Sequence, residues 1–170
     1  MPTLILFRHA KAAPALRDQS DFDRPLTERG RRDAERMGVL LIGRPIDLAL
    51  VSAAVRTRET FDIATASMRP APSADIERDL YLCGARKLVR RLTAIPPKVE
   101  TLMVVGHNPD MQEVALWLAG EDESPESLAL RHKFPTAAFA IFNLDLTSWK
   151  ELGPKRASLK RFAIPSELED

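Results

Sequence analysis

Cysteine is almost absent from this 170-residue chain, with Cys83 standing alone. A single thiol excludes an internal disulfide and any cysteine-rich metal cluster, and makes a reducing compartment the expectation. Charge of one sign is not in excess either. The 25 lysines and arginines against 24 aspartates and glutamates leave a formal +1, which offers no global attraction for nucleic acid or an anionic membrane. Aromatic residues make up 6%, few for a surface on which bases would stack. Long hydrophobic runs are missing too. The apolar opening Leu4–Phe7 meets Arg8, His9 and Lys11 at once. That is far short of a signal-peptide core or of the roughly 20 apolar residues of a membrane span. There is no internal repeat and no low-complexity tract. The expectation is a cytoplasmic, monomeric protein, one domain over 1–170, with no nucleic-acid or membrane partner.

What is there is globular composition, 45% hydrophobic and 29% charged, with chain enough to bury a core. Four continuous apolar runs predict strands at Thr3–Phe7, Ile46–Val51, Thr101–Val105 and Ala137–Asn143. Continuous rather than alternating apolarity predicts strands covered on both faces. Helical spacing appears between them. Ala34, Met37, Gly38 and Leu41 share one face, with Thr27 as the expected N-cap; Met111, Val114, Ala115, Leu118 and Ala119 share another that ends at Gly120. Thr57, Phe61 and Ala64 mark a third helix, and Leu88, Leu92 and Ile95 a fourth. Ser158–Ile164 reads as an edge strand, Arg69–Pro72 and Ile95–Lys98 as loops, and Glu121–Glu126 as an acidic surface loop. Strands alternating with helices predict an α/β fold of three layers, α/β/α, around a mainly parallel sheet.

The polar residues of interest stand where predicted strands end. Strand one runs into Arg8-His9, the second into Ser52 with Arg56 and Arg58 beyond, and the third into Gly106-His107-Asn108-Pro109. In open α/β sheets the carboxyl ends of strands form the ligand crevice. Parallel neighbours would bring two histidines and at least two arginines to one pocket. Guanidiniums repel a divalent metal, and no further ligand stands at metal spacing. Their forked donors match phosphate oxygens, and their field keeps a nearby imidazole neutral and able to attack phosphorus. Two residues apart on a helix, Arg56 and Arg58 cannot share the pocket; spacing from Ser52 selects Arg56. Arg24 reads either as a pocket residue or as part of a solvated face with Arg29, Arg31, Arg32 and Arg36.

Four blocks in order carry a resemblance. Leu6-Phe7-Arg8-His9-Ala10, Arg24-Pro25-Leu26-Thr27-Glu28-Arg29-Gly30, Val51-Ser52-Ala53-Ala54-Val55-Arg56-Thr57-Arg58-Glu59-Thr60 and Val105-Gly106-His107-Asn108-Pro109 resemble the histidine phosphatase superfamily. The likeness runs from about residue 3 to the strand near 143. The short length, the Arg-His-Ala opening, Phe134-Pro135-Thr136 and Ser148-Trp149 look most like the compact SixA-type phosphohistidine phosphatases. The resemblance implies the phosphoglycerate mutase-like fold and a metal-independent phosphatase without cofactor. By position it implies His9 as the nucleophile that becomes phosphorylated, Arg8, Arg24 and Arg56 on the phosphoryl oxygens, and His107 hydrogen-bonded to the same group. No block matches the carboxylic acid of larger members. Asp21 is the candidate general acid, with Asp79 and Asp23 behind it. The implied substrate is phosphohistidine on a protein; the rivals are a small phosphomonoester and a binding domain without turnover.

Overall fold

The computed structural model describes residues 1–168. Six strands form one sheet: β1 (Thr3–Arg8), β2 (Leu48–Ser52), β3 (Ser73–Glu77), β4 (Thr101–Gly106), β5 (Phe139–Leu144) and β6 (Ala157–Ala163), in the order β3-β2-β4-β1-β5-β6. The first four positions are parallel neighbours; β5 runs antiparallel to β1 and to β6. The mainly parallel sheet predicted from the apolar runs is present.

Side chains alternate across the pleat and build two cores. Leu4, Leu6, Leu50, Leu102 and Val104 face α3 (Ala85–Thr93), α4 (Asp110–Ala119) and α5 (Pro125–His132). Ile5, Phe7, Ala49, Val51, Met103 and Val105 face α1 (Glu28–Val39) and α2 (Val55–Thr65). Both faces are thus covered, which is why the central strands read as unbroken apolar runs. Thr27 caps α1 as expected, its side chain accepting from the Gly30 N–H at 3.0 Å. Trp149 and Phe162 are buried at the end of the core, and Trp149 Nε1 donates to the Val99 carbonyl at 2.9 Å. Among the described residues no helix is long and apolar enough to cross a membrane.

Two elements correct the sequence reading. The stretch after the Arg69–Pro72 loop forms β3, a sheet edge whose Ser73–Ile76 are exposed, so it carries no apolar signal. Part of the expected acidic loop Glu121–Glu126 opens α5 instead. Ser124 accepts from the Ser127 N–H at 3.2 Å and Pro125 occupies the first turn, a start signal of the favoured kind. The helix buries only Ser127 and Leu130, which explains its faint periodicity.

Helices α1 and α2 cross closely at Gly38, where a Cβ would lie 2.2 Å from the Ala64 carbonyl oxygen. Backbone cannot yield there as a flexible side chain would. Gly38→Ala should therefore lower stability by about 1–3 kcal/mol despite alanine's better helix propensity. Urea unfolding checks this; an unchanged or raised midpoint would contradict it.

Candidate active site

Strand register sets the site. Arg8 pairs with Gly106 and Val51 with Val105, so β1, β4 and β2 end at one level. The next residues along each strand, His9, His107 and Ser52, therefore emerge together at the carboxyl edge of the sheet. The rings of His9 and His107 lie 5.4 Å apart, centroid to centroid.

His9 is locked by its own loop. Its Nδ1 stands 2.7 Å from the Ala10 carbonyl. A carbonyl only accepts, so Nδ1 carries the proton and Nε2 keeps its lone pair. The Ala10 N–H donates to Thr60 Oγ1 at 3.0 Å, and the Thr60 hydroxyl donates to the Arg56 carbonyl at 2.7 Å. Burial, together with the charges of Arg56, Arg8 and Arg24, drives His9 down to about 4 against the raising effect of the Ala10 bond. At neutral pH the ring is uncharged.

His107 is 1% exposed. Its Nε2 lies 2.7 Å from Ser52 Oγ, while Nδ1 is buried without a partner among the described residues. Burial first, then His9 and Arg56, take it down to about 3. Tyr81 stands edge-on to this ring at 5.4 Å and edge-on to Phe22 at 5.0 Å, forming an aromatic side to the site.

Three guanidiniums surround the imidazoles. Arg8 Nη1 donates to the Phe134 carbonyl at 2.8 Å, an oxygen that also accepts from Asn108 Nδ2 at 3.0 Å. Arg24 Nε donates to the Ala13 carbonyl at 2.8 Å. Arg56, 4% exposed, donates through Nη1 to the Asp21 carbonyl at 2.7 Å and through Nη2 to Asp21 Oδ2 at 2.9 Å. The Nε atoms of Arg8 and Arg56 are buried and unpartnered among the described residues. Arg58 is exposed, its Nε on the Ala53 carbonyl at 3.0 Å, so the choice of Arg56 over Arg58 agrees with their placement. Unsatisfied N–H donors beside an unpaired imidazole nitrogen make a strong anion site.

Asp21 lies in the cluster. Its Oδ1 accepts from Arg24 Nη1 at 2.8 Å, and its Oδ2 accepts from Arg56 and from the Tyr81 hydroxyl. The Tyr81 bond and the Arg24 bond hold this carboxyl well below its ordinary range, so it is ionised at neutral pH. The candidate general acid thus stands paired with Arg24, Arg56 and Tyr81. Asp79 and Asp23 bind elsewhere: Asp79 faces Lys87 at 3.9 Å, and Asp23 accepts from the Ser20 hydroxyl at 2.8 Å. Burial pushes the Cys83 thiol up to about 11, with the Asp110 carboxylate adding to the shift, which leaves it a poor nucleophile.

Comparison with known proteins agrees with this geometry. The sequence profile of the histidine phosphatase superfamily (branch 1) matches residues 4–80. An uncharacterized protein of Mycobacterium tuberculosis, Rv1276c, is 33% identical over 162 residues, covering 93% of this chain and 99% of its own. Two solved structures assigned as the phosphohistidine phosphatase SixA superpose with TM-scores of 0.82 at 30% identity. The one from Nakamurella multipartitia covers 96% of each chain. The one from Agrobacterium tumefaciens covers 97% of this chain and 99% of that one. The chain belongs to the histidine phosphatase superfamily. Its chemistry is that of a phosphatase.

All the residues singled out from the four superfamily blocks converge: Arg8, His9, Arg24, Arg56 and His107. Sequence reasoning missed Tyr81, the main-chain oxygen of Phe134, and the contact of Ser52 with His107. Tyr81 follows the unpredicted β3, and it is the chain's one tyrosine; a strand predicted at Ser73–Glu77 would have pointed to it.

The two buried imidazoles link stability to pH. In the unfolded chain both titrate near 6.5. Between that value and about 4 the unfolded chain takes up protons that the folded chain refuses. Stability is therefore complete above 6.5 and is lost as pH falls through this window. Each histidine contributes a slope of up to about 1.4 kcal/mol per pH unit. The ion pairs of Asp21 fail only at lower pH, below its ordinary 3.8. Urea unfolding from about pH 7 to about pH 4.5 should show this loss, and His107→Gln should roughly halve its slope. An unchanged slope would mean that His107 is not held neutral.

Proposed function

We propose that this phosphatase hydrolyses phosphohistidine on a protein through a phosphorylated His9. The observation that carries the reading is the fixed tautomer of His9, which leaves Nε2 unprotonated beside buried N–H donors lacking partners. Nε2 attacks phosphorus in line, and the P–N bond to the substrate imidazole breaks as that ring takes up a proton. Arg8, Arg24 and Arg56 neutralise the equatorial oxygens through the transition state. His107 donates from Nδ1 to the same group when the Ser52 hydroxyl donates to its Nε2. Water then attacks the phosphorus on His9, releasing phosphate and regenerating the imidazole.

The state of Asp21 supports a phosphoramidate substrate. An alkoxide leaving group needs a poised acid, whereas an imidazole accepts a proton readily by itself. Asp21 serves on this reading as a positioning residue, an anion that holds Arg56 and Arg24 in place. The likeness to the two SixA-assigned structures points the same way.

The test is phosphate release by wild type and His9→Ala from a phosphohistidine-bearing protein and from an aryl phosphate, with chelator present. Turnover of the phosphoprotein should persist in chelator and fall at least about 10³-fold in His9→Ala. Hydrolysis of the aryl ester alone would move the substrate to small phosphomonoesters. Hydrolysis of neither would favour a binding domain.

Asp21→Asn separates positioning from acid catalysis. For phosphohistidine, KM should rise several-fold while kcat changes less than about threefold. If kcat collapsed and its pH profile lost the limb of a required acid, Asp21 would be the proton donor after all.

A further inference from the structure

A second cationic feature adjoins the site and shares Arg8 with it. A groove of about 410 Å³ opens beside Arg8, lined among others by Lys11, Arg29, Asp33, Lys133 and Thr136. Lys11, Arg29 and Lys133 are exposed. The groove's one carboxylate, Asp33, is 6% exposed and lies 3.8 Å from Arg29. Among the described residues Lys11 and Lys133 form no ion pair. In a chain whose charges nearly cancel overall, this is a local excess of positive charge that Asp33 offsets only in part among the described residues.

The walls are fastened to the loop that carries His9. On one side the Lys11 carbonyl accepts from the Thr27 N–H at 2.9 Å and from its hydroxyl at 3.2 Å. The start of α1 approaches so closely that a Cβ on Gly30 would lie 2.2 Å from the Lys11 oxygen. That contact brings Arg29 alongside Lys11. On the other side the Ala137 N–H donates to the His9 carbonyl and the Arg8 N–H donates to the Ala138 carbonyl, both at 3.0 Å. Lys133 and Thr136 sit on the segment so pinned. The walls of the groove are thereby held in fixed register with the loop that carries His9.

Resting on the function proposed above, we infer that this groove docks a carboxylate-rich segment of the protein substrate close to its phosphorylated residue. The cations stand on three separate segments and two are lysines, whose flexible point charges suit a string of carboxylates better than one compact phosphate. Exposed charges of this kind act on encounter and register more than on the chemical step. The groove favours acidic protein substrates and leaves turnover of a small ester untouched.

The double variant Lys11→Gln/Lys133→Gln tests this, because both side chains are exposed and their loss should leave the thermal midpoint unchanged. With the phosphohistidine protein, kcat/KM should fall by about tenfold at low salt, and its steep decline with added salt should flatten. Aryl phosphate turnover should stay within about twofold of wild type. A poly-glutamate peptide should inhibit aryl phosphate turnover by wild type and not by the variant. The inference is overturned if the variant handles the phosphoprotein as wild type does, if both substrates decline in parallel, or if the peptide fails to inhibit wild type. If wild type hydrolyses the aryl ester and not the phosphoprotein, the proposed substrate falls while the peptide alone decides the groove. Inhibition by an aliphatic bisphosphate at concentrations where the peptide is inert would assign the groove to a small ligand and overturn docking.

Discussion

Gathering three guanidiniums around two imidazoles is electrostatically unfavourable, and most of the local structure exists to offset that cost. The counter-charges are few. Among the described residues Asp21 supplies the one carboxylate, shared between Arg24 and Arg56. The remaining balance comes from main-chain oxygens at Phe134, Ala13 and Asp21 itself. Carbonyl dipoles stabilise a cation without cancelling it, so the pocket keeps its positive potential for an incoming anion. Burial first, with the arginine charges added, keeps the histidines neutral, and neutrality is the state in which an imidazole nitrogen attacks.

Positioning follows from the sheet. Because β2, β4 and β1 are parallel neighbours in matched register, residues far apart in sequence reach one plane without long loops. The helices then close the arrangement from beneath. Thr60 on α2 holds the loop after His9 through the Ala10 N–H, and its hydroxyl is bonded to the carbonyl of Arg56 one turn earlier. The loop after His9 and Arg56 are thus joined through a single side chain, which ties their spacing to the geometry of one helical turn.

Much of this was legible before any coordinates. The central strands declare themselves because both faces are covered, and the site residues because they stand where those strands stop. Legibility fails where burial is slight or where meaning is purely tertiary. The β3 strand is exposed and polar, and α5 buries too few residues to show a period. Ser52 stands at a strand end like the others, yet its role depends on cross-sheet proximity to His107. Asp21 is the instructive case: its residue type suggested proton donation, and its pairing with Arg24 and Arg56 is visible only in three dimensions. Trp149 is buried for a simple reason, since a large ring near the last strand has few places to go except inward.

The shared acceptor at Phe134 has a consequence for comparing related chains. One carbonyl oxygen anchors both Arg8, at the end of β1, and Asn108, just past β4. Every residue type offers that oxygen. The phenyl ring on the same residue is fully buried against Phe162, so substitutions at position 134 are judged by packing volume alone. An alignment would score the ring and remain blind to the anchor. Two polar groups of the site thus hang on a position whose variability carries no information about them, and its importance is visible only in the path of the main chain.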